Sequence, residues 1–172
     1  VIPMRYYLEF LRSNFTVSLK DGQPVTLEQY IDELLDDALF QSDSEARFVL
    51  LDDLRERMRG KGRVSEELVS RWTARMEEVF GSLAVMVRFR SSSNVEDALE
   101  FNGAGLYDSY THHLDEGHLS KSIVQVFASV WNFRAYEERD FFRIDHFSAA
   151  MGVLLHPNFS DERANGVAVT VD

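Results

Sequence analysis

The 172-residue chain contains no cysteine, only three prolines, and no apolar run long enough to cross a bilayer. Without cysteine there are no disulfides and no thiolate metal ligands. This fits a reducing compartment, and a cytoplasmic location is the expectation. No segment has the pattern of a signal peptide. Basic residues are scarce, with 18 lysines and arginines against 29 aspartates and glutamates and a formal charge of −11. That balance argues against nucleic acid as a partner, since a general nucleic-acid binder carries a basic footprint. A small anion can still be held if a few basic groups gather at one place.

With 45% hydrophobic and 27% charged residues, the chain has the composition of a globular domain able to bury a core. Both ends read as cut. Val1-Ile2-Pro3 is not a usual start, and Val169-Thr170-Val171-Asp172 reads as the end of a strand, so a fragment of a longer protein is the expectation. Tyr6, Tyr7, Phe10 and Leu11 predict a first helix. Thr26 and Gln29 have the spacing of a capping box before Leu27, Tyr30, Ile31, Leu34, Leu35 and Ala38, which predict a second. Ser42 and Glu45 repeat the box before a third helix that Gly60 and Gly62 end. Ser65 caps a fourth, stopped by Gly81. The pattern then predicts strands over 84–89 and 106–111, a longest helix over 119–140, and strands over 147–155 and 166–171, with a polar connection over 156–165. The fold class is α+β: N-terminal helices, then strand-strand-helix-strand-strand.

Residues 85–111 carry the chemistry. Val85, Val87 and Phe89 alternate with Met86, Arg88 and Arg90, the period of a half-buried strand. Arg90 leaves that strand where Ser91, Ser92 and Ser93 begin, with Gly103 and Gly105 beyond. A guanidinium fork, hydroxyl donors and backbone N–H groups that glycine lets come close all suit an oxyanion such as phosphate. Glu96 and Asp97 could hold magnesium, but acids in a loop more often cap a helix or pair with arginine. Gly60-Lys61-Gly62 lacks the spacing, the hydroxyl residue and the preceding strand of a phosphate loop, and reads as a helix end with a solvated lysine. His112, His113 and His118, with Asp115 and Glu116, read either as a polar loop or as metal ligands, and their spacing fixes no geometry. Arg134 follows Phe127 and Trp131 at helical spacing, so it is expected on the helix's inner side, and periodicity alone favours a salt bridge for it.

Several of these blocks resemble a known family. Phe89-Arg90-Ser91-Ser92-Ser93-Asn94-Val95-Glu96-Asp97 is similar to the V-R-S-S-x-x-x-E-D signature of the phosphoenolpyruvate synthase and pyruvate phosphate dikinase family. Gly103-Ala104-Gly105-Leu106-Tyr107-Asp108-Ser109 resembles the segment that follows it, in a wording close to the related glucan, water dikinases. Phe127-Ala128-Ser129-Val130-Trp131-Asn132-Phe133-Arg134-Ala135 is similar to the W-A-S-L-x-x-x-R-A helix, with Phe127 in place of its tryptophan. Ala150-Met151-Gly152-Val153 and Gly166-Val167-Ala168-Val169-Thr170 resemble the interlobe segment and the returning strand.

The resemblance implies one incomplete ATP-grasp domain. Residues 1–83 would be the helical part of its first lobe, 84–155 the nucleotide-binding lobe, and 156–172 the interlobe connection with the start of the second lobe. It implies Arg90 on the ATP phosphates and Gly105, Leu106 and Ser109 along a phosphate-covering turn. Arg134 would lie near the phosphate end, which reverses the preference for a salt bridge. Leu154 to Pro157, His156 included, would border adenine, although His156-Pro157 stand where a Met-Val-like pair is usual. The implied cofactors are ATP and Mg2+. The family's glycine-glycine-lysine element and its magnesium ligands would fall outside this chain, as would its phosphohistidine motif, so neither a catalytic nor a metal-binding residue is assigned here. The implied partners are ATP, an acceptor such as pyruvate, and a phosphohistidine domain of the same full-length protein, with no membrane. The fragment alone is expected to be inactive. The alternative is a non-catalytic nucleotide- or partner-binding module on the same fold.

Overall fold

In a computed structural model of the chain, the structure describes residues 1–19, 22–82, 85–98, 101–103, 105–113 and 116–158. The strand expected over 166–171 and most of the connection before it lie outside the described residues.

Five helices precede the main sheet: α1 (Arg5–Ser13), α2 (Leu27–Leu35), α3 (Ala38–Ser42), α4 (Ser44–Lys61) and α5 (Glu66–Phe80). Thr26 and Gln29 close the capping box on α2 as the sequence predicts, each side chain meeting the other's backbone N–H. The next cap differs from expectation. Asp43 caps α4, its carboxylate accepting from the N–H groups of Glu45 and Ala46. Ser42 instead closes α3, donating to the Ala38 carbonyl. A carboxylate one residue on is the better acceptor for helix N–H groups. Asp37 does the same one helix earlier, which is why the stripe read as continuous to Ala38 breaks after Leu35. The connector expected between α1 and α2 contains a short hairpin, β1 (Val17–Ser18) with β2 (Pro24–Val25), two residues a strand and too brief for an alternation signal.

Strand β3 (Val87–Ser93) starts later and runs further than the expected 84–89. The two-residue strands β4 (Asp97–Ala98) and β5 (Phe101–Asn102) pair with each other. Strand β6 (Tyr110–His112) occupies only the end of the expected 106–111. Helix α6 (Ser120–Ala128), a 3-10 turn over Ser129–Trp131, and helix α7 (Phe133–Phe141) replace the single long helix expected over 119–140. The interruption is at Asn132, whose extended ψ of 136° ends the first run and starts the second. The longest helix is thus α4, with 18 residues. A 3-10 turn over His146–Ser148 and strand β7 (Met151–Pro157) stand where one strand over 147–155 was expected.

β3 is central in a three-stranded antiparallel sheet of order β6-β3-β7. One face is buried through Val87 and Phe89 and packs on α6. The core continues through Tyr7, Phe10, Phe127 and Trp131, where Tyr7 and Phe10 meet Phe127 with ring centroids 5.5 and 5.6 Å apart. Trp131 Nε1 donates to the Tyr7 hydroxyl at 3.0 Å, which satisfies both buried polar groups. The sheet's other face stays open, and its side chains alternate with the buried set.

Candidate functional site

The register of β3 decides which side chains share the open face. Arg88 lies opposite Thr111 of β6 and His156 of β7, Arg90 opposite Leu154, and Ser92 opposite Gly152. Directly opposed residues point the same way, so Arg88, Arg90, Thr111, Leu154 and His156 form one surface. Its two arginines are not equivalent. Arg88 is half-buried and donates to the Thr111 hydroxyl at 2.7 Å. Arg90 is exposed and has neither ion pair nor hydrogen bond among the described residues. Leu154 is 44% exposed, an apolar side chain beside a free guanidinium. His156 is half-buried, with Nδ1 2.8 Å from the Pro157 carbonyl.

The outer edge of β7 has its own order. Ile2 exchanges both backbone hydrogen bonds with Val153, at 2.7 and 3.0 Å. Two residues on, the backbone groups of Leu155 therefore point to the same outer edge, while those of Leu154 point to β3. A strip over 154–157 thus offers the Leu154 side chain to the open face and the Leu155 backbone to the edge.

The turn over 105–109 meets β3 at Ser91, whose side chain lies on the face opposite to that of Arg90. Gly105 has a φ of +78°, a conformation that L side chains rarely adopt, and it is exposed. Leu106 is buried; its N–H donates to the Gly103 carbonyl and its own carbonyl accepts from Asn132 Nδ2 at 3.0 Å. Leu106 is thus the anchor of the turn, and Gly105 its exposed point. The Ser109 hydroxyl accepts from the Ser91 N–H at 3.3 Å and lies 3.4 Å from the Ser91 hydroxyl, tying the turn to β3 one residue after Arg90. Glu96 Oε2 accepts from the Ser93 N–H at 3.5 Å.

Arg134 is where the helix interruption changes expectation. It opens α7 and is exposed rather than on an inner face, and it makes no ion pair among the described residues. The arginine on the inner face is Arg139, with none of its surface exposed. The histidines also separate. His112 is buried with Nδ1 2.7 Å from the Ser122 hydroxyl, and burial lowers its pKa below the usual value. His118 meets Ser120 on the surface. Glu116 accepts from the Tyr110 hydroxyl and the His113 N–H. Among the described residues no three histidine, aspartate or glutamate side chains converge as a metal site; Asp115 lies outside them.

The sequence profile described as "Pyruvate phosphate dikinase, AMP/ATP-binding domain" matches residues 12–172. The chain belongs to that family. Two phosphoenolpyruvate synthases are similar to it. The enzyme of Aeropyrum pernix is 35% identical over 85 residues, 49% of this chain, and that of Aquifex aeolicus 31% identical over 108 residues, 62% of this chain. These stretches cover only 10% and 13% of the two enzymes' lengths. The α+β arrangement is accordingly that of part of a pyruvate phosphate dikinase-type nucleotide-binding domain, and ATP binding is the property the family assigns to it.

Within this domain, three residues that pattern-reading passed over hold the turn over 105–109. Asn132 binds its Leu106 carbonyl, Arg55 of α4 approaches Asp108 at 3.7 Å, and Arg139 Nη1 donates to the Tyr107 hydroxyl at 3.4 Å. Asn132 carried a readable signal, since it precedes Phe133 as a helix-starting residue. Arg55 and Arg139 are charged residues within buried stripes, which a count of apolar positions skips.

Proposed function

We propose that the chain is the ATP-binding portion of a phosphoenolpyruvate synthase or pyruvate phosphate dikinase-like phosphotransferase, on an ATP-grasp fold. The full-length protein passes phosphoryl groups from ATP to a histidine on another domain, and from there to an acceptor such as pyruvate. The observation that carries this reading is the open sheet face, where Arg90, without a side-chain partner among the described residues, lies across the register from the exposed Leu154. A nucleotide needs a positive group for its phosphates and an apolar slot with backbone hydrogen bonds for its base, and this surface offers both. Arg90 takes the phosphate end, and Gly105 and Ser109 flank it on the turn that Leu106 anchors. Arg134, which has no ion pair among the described residues, is assigned to the phosphate end by the family resemblance, and Leu154 and the strand through His156 to the adenine. Phosphoryl transfer asks the protein mainly to position groups and neutralise charge, which fits a site of arginines and backbone donors without a nucleophile.

Magnesium, when bound with ATP, would supply neutralisation of phosphate charge. Its ligands are proposed to lie in other parts of the full-length protein, as the resemblance of the sequence to the dikinase family implies. What these residues supply is orientation of ATP.

The test is transfer of label from the γ- or β-phosphate of ATP to the full-length protein, before and after Arg90→Ala. Labelling should fall at least a hundredfold, the order seen when one positioned phosphate donor is lost. Unchanged labelling removes Arg90 from the phosphates. ATP binding without any labelling of the wild type favours a non-catalytic nucleotide module.

A further inference from the structure

The Gly60-Lys61-Gly62 segment, unlike a phosphate loop by its sequence, lies at the mouth of a cavity of about 310 Å3. The cavity is bounded by the end of α4 and the start of α6. Arg59 and Arg63 reach it from one side, Lys121 and His118 from the other, with Ser120 and Gln125 as neutral polar groups. None of the described residues lining it is acidic.

The chain's cations are unevenly paired. Arg12, Arg47, Arg55, Arg57, Arg71 and Arg75 each have a carboxylate within 4 Å. Arg63 and Lys121 have none among the described residues. The carbonyls at the end of α4 account for part of the cluster, as cations at a helix C-terminus commonly do. Arg63 Nη1 donates to the Gly62 carbonyl at 2.8 Å, and Arg59 Nε to the Arg55 carbonyl at 3.4 Å, with Glu56 3.5 Å from Arg59 Nη1. They do not account for Lys121 and His118, which come from the start of α6 and the loop before it. Among the described residues Lys121 Nζ donates to the Glu116 carbonyl, at 3.5 Å. Like charges brought to one cavity from two elements repel unless an anion lies between them.

We infer that this cavity is a second anion site, for a small phosphate-bearing molecule, separate from the nucleotide face. Its volume is at the small end of ligand pockets and suits a compact phosphorylated metabolite better than a nucleoside triphosphate. Arg63 and Lys121 supply charged donors, and Ser120 and Gln125 supply neutral ones. It shares no residue with the sheet face of Arg90 and Leu154, so it stands or falls independently of the ATP reading.

Inorganic pyrophosphate, inorganic phosphate and citrate, titrated calorimetrically into the full-length protein, test this. Because pyrophosphate also fits an ATP phosphate subsite, the titration is repeated with Arg90→Ala and with the double variant Arg63→Gln/Lys121→Gln. Arg63 and Lys121 are exposed, so the double variant should keep its circular dichroism and melting temperature. The expected result is binding retained in Arg90→Ala and weakened roughly a hundredfold in the double variant, as for loss of two charge-assisted hydrogen bonds. Citrate binding as tightly as pyrophosphate overturns the assignment to phosphate. No binding by the wild type, loss in Arg90→Ala, or equal binding by the double variant overturns the site itself.

Discussion

His146 stacks on Tyr136 with ring centroids 4.2 Å apart and planes 7° from parallel, while Arg139 Nε donates to its Nδ1 at 3.4 Å. Burial, and next the Arg139 charge, lower its pKa to about 4; Asp140, 3.9 Å away, opposes this without prevailing. The imidazole is therefore neutral in the fold, accepting at Nδ1. Because the folded pKa lies below the unfolded value of 6.5, the unfolded chain binds the extra proton between pH 6.5 and 4. Stability should be unaffected by this group above pH 6.5 and fall as pH drops through that window, by at most about 3 kcal/mol. Urea denaturation from pH 7.5 to 4 checks it. His146→Phe should flatten this part of the pH dependence, and an unaltered profile would put the neutral imidazole in error. The same residues mark what a sequence conceals at this scale. Arg134 had the right spacing from Trp131 to face inward, but Asn132 breaks the helix between them. Arg139, which does face inward over Trp131, carries no apolar signal that a periodicity would pick out.

Gly60 and Gly62 belong to one short motif yet do opposite work. Gly60 is inside α4, and an added Cβ would meet nothing within 4 Å. Gly62 follows the helix in an extended conformation, where a Cβ would collide with the Met58 carbonyl oxygen and come within 2.7 Å of the buried Phe10 ring. Gly60→Ala should therefore stabilise by up to about 1 kcal/mol, through helix propensity. Gly62→Ala should destabilise by about 1–3 kcal/mol, because neither the backbone carbonyl nor the packed ring can move freely. Equal effects in thermal denaturation would mean that Phe10 does not pack against the end of α4. Most helices were legible at this scale: the stripes of α1, α2, α4 and α5 and the Thr26 box follow directly from spacing. Helix ends were less so, because Asp37, Asp43 and Asn132 compete with neighbours of similar propensity. The two-residue strands carry too few positions for a period to show.

Across the whole molecule, the segments that meet at the sheet face come from residues as far apart as Arg88 and His156. Motif wording could bring them to one family, but only the register of β3 with β7 determines that Arg90 faces Leu154. Periodicity says which residues share a face of one strand and nothing about which residue of the next strand lies opposite. That juxtaposition has a consequence for stability. A ligand that binds only the folded state stabilises it by about 2.7 kcal/mol at a hundredfold excess over its Kd. For a domain of this length, that is a rise in melting temperature of about 5–11 °C. Magnesium ATP should raise the melting temperature of the unfolding transition that contains this domain by that order. Arg90→Ala should remove most of the rise, since binding then lacks its unpaired phosphate donor, whereas Arg63→Gln/Lys121→Gln should leave it intact. With a net charge of −11, this chain repels ATP at long range. Moderate salt should therefore weaken the distant repulsion more than the short contacts at Arg90. A thermal shift that persists in Arg90→Ala would mean that ATP is held elsewhere.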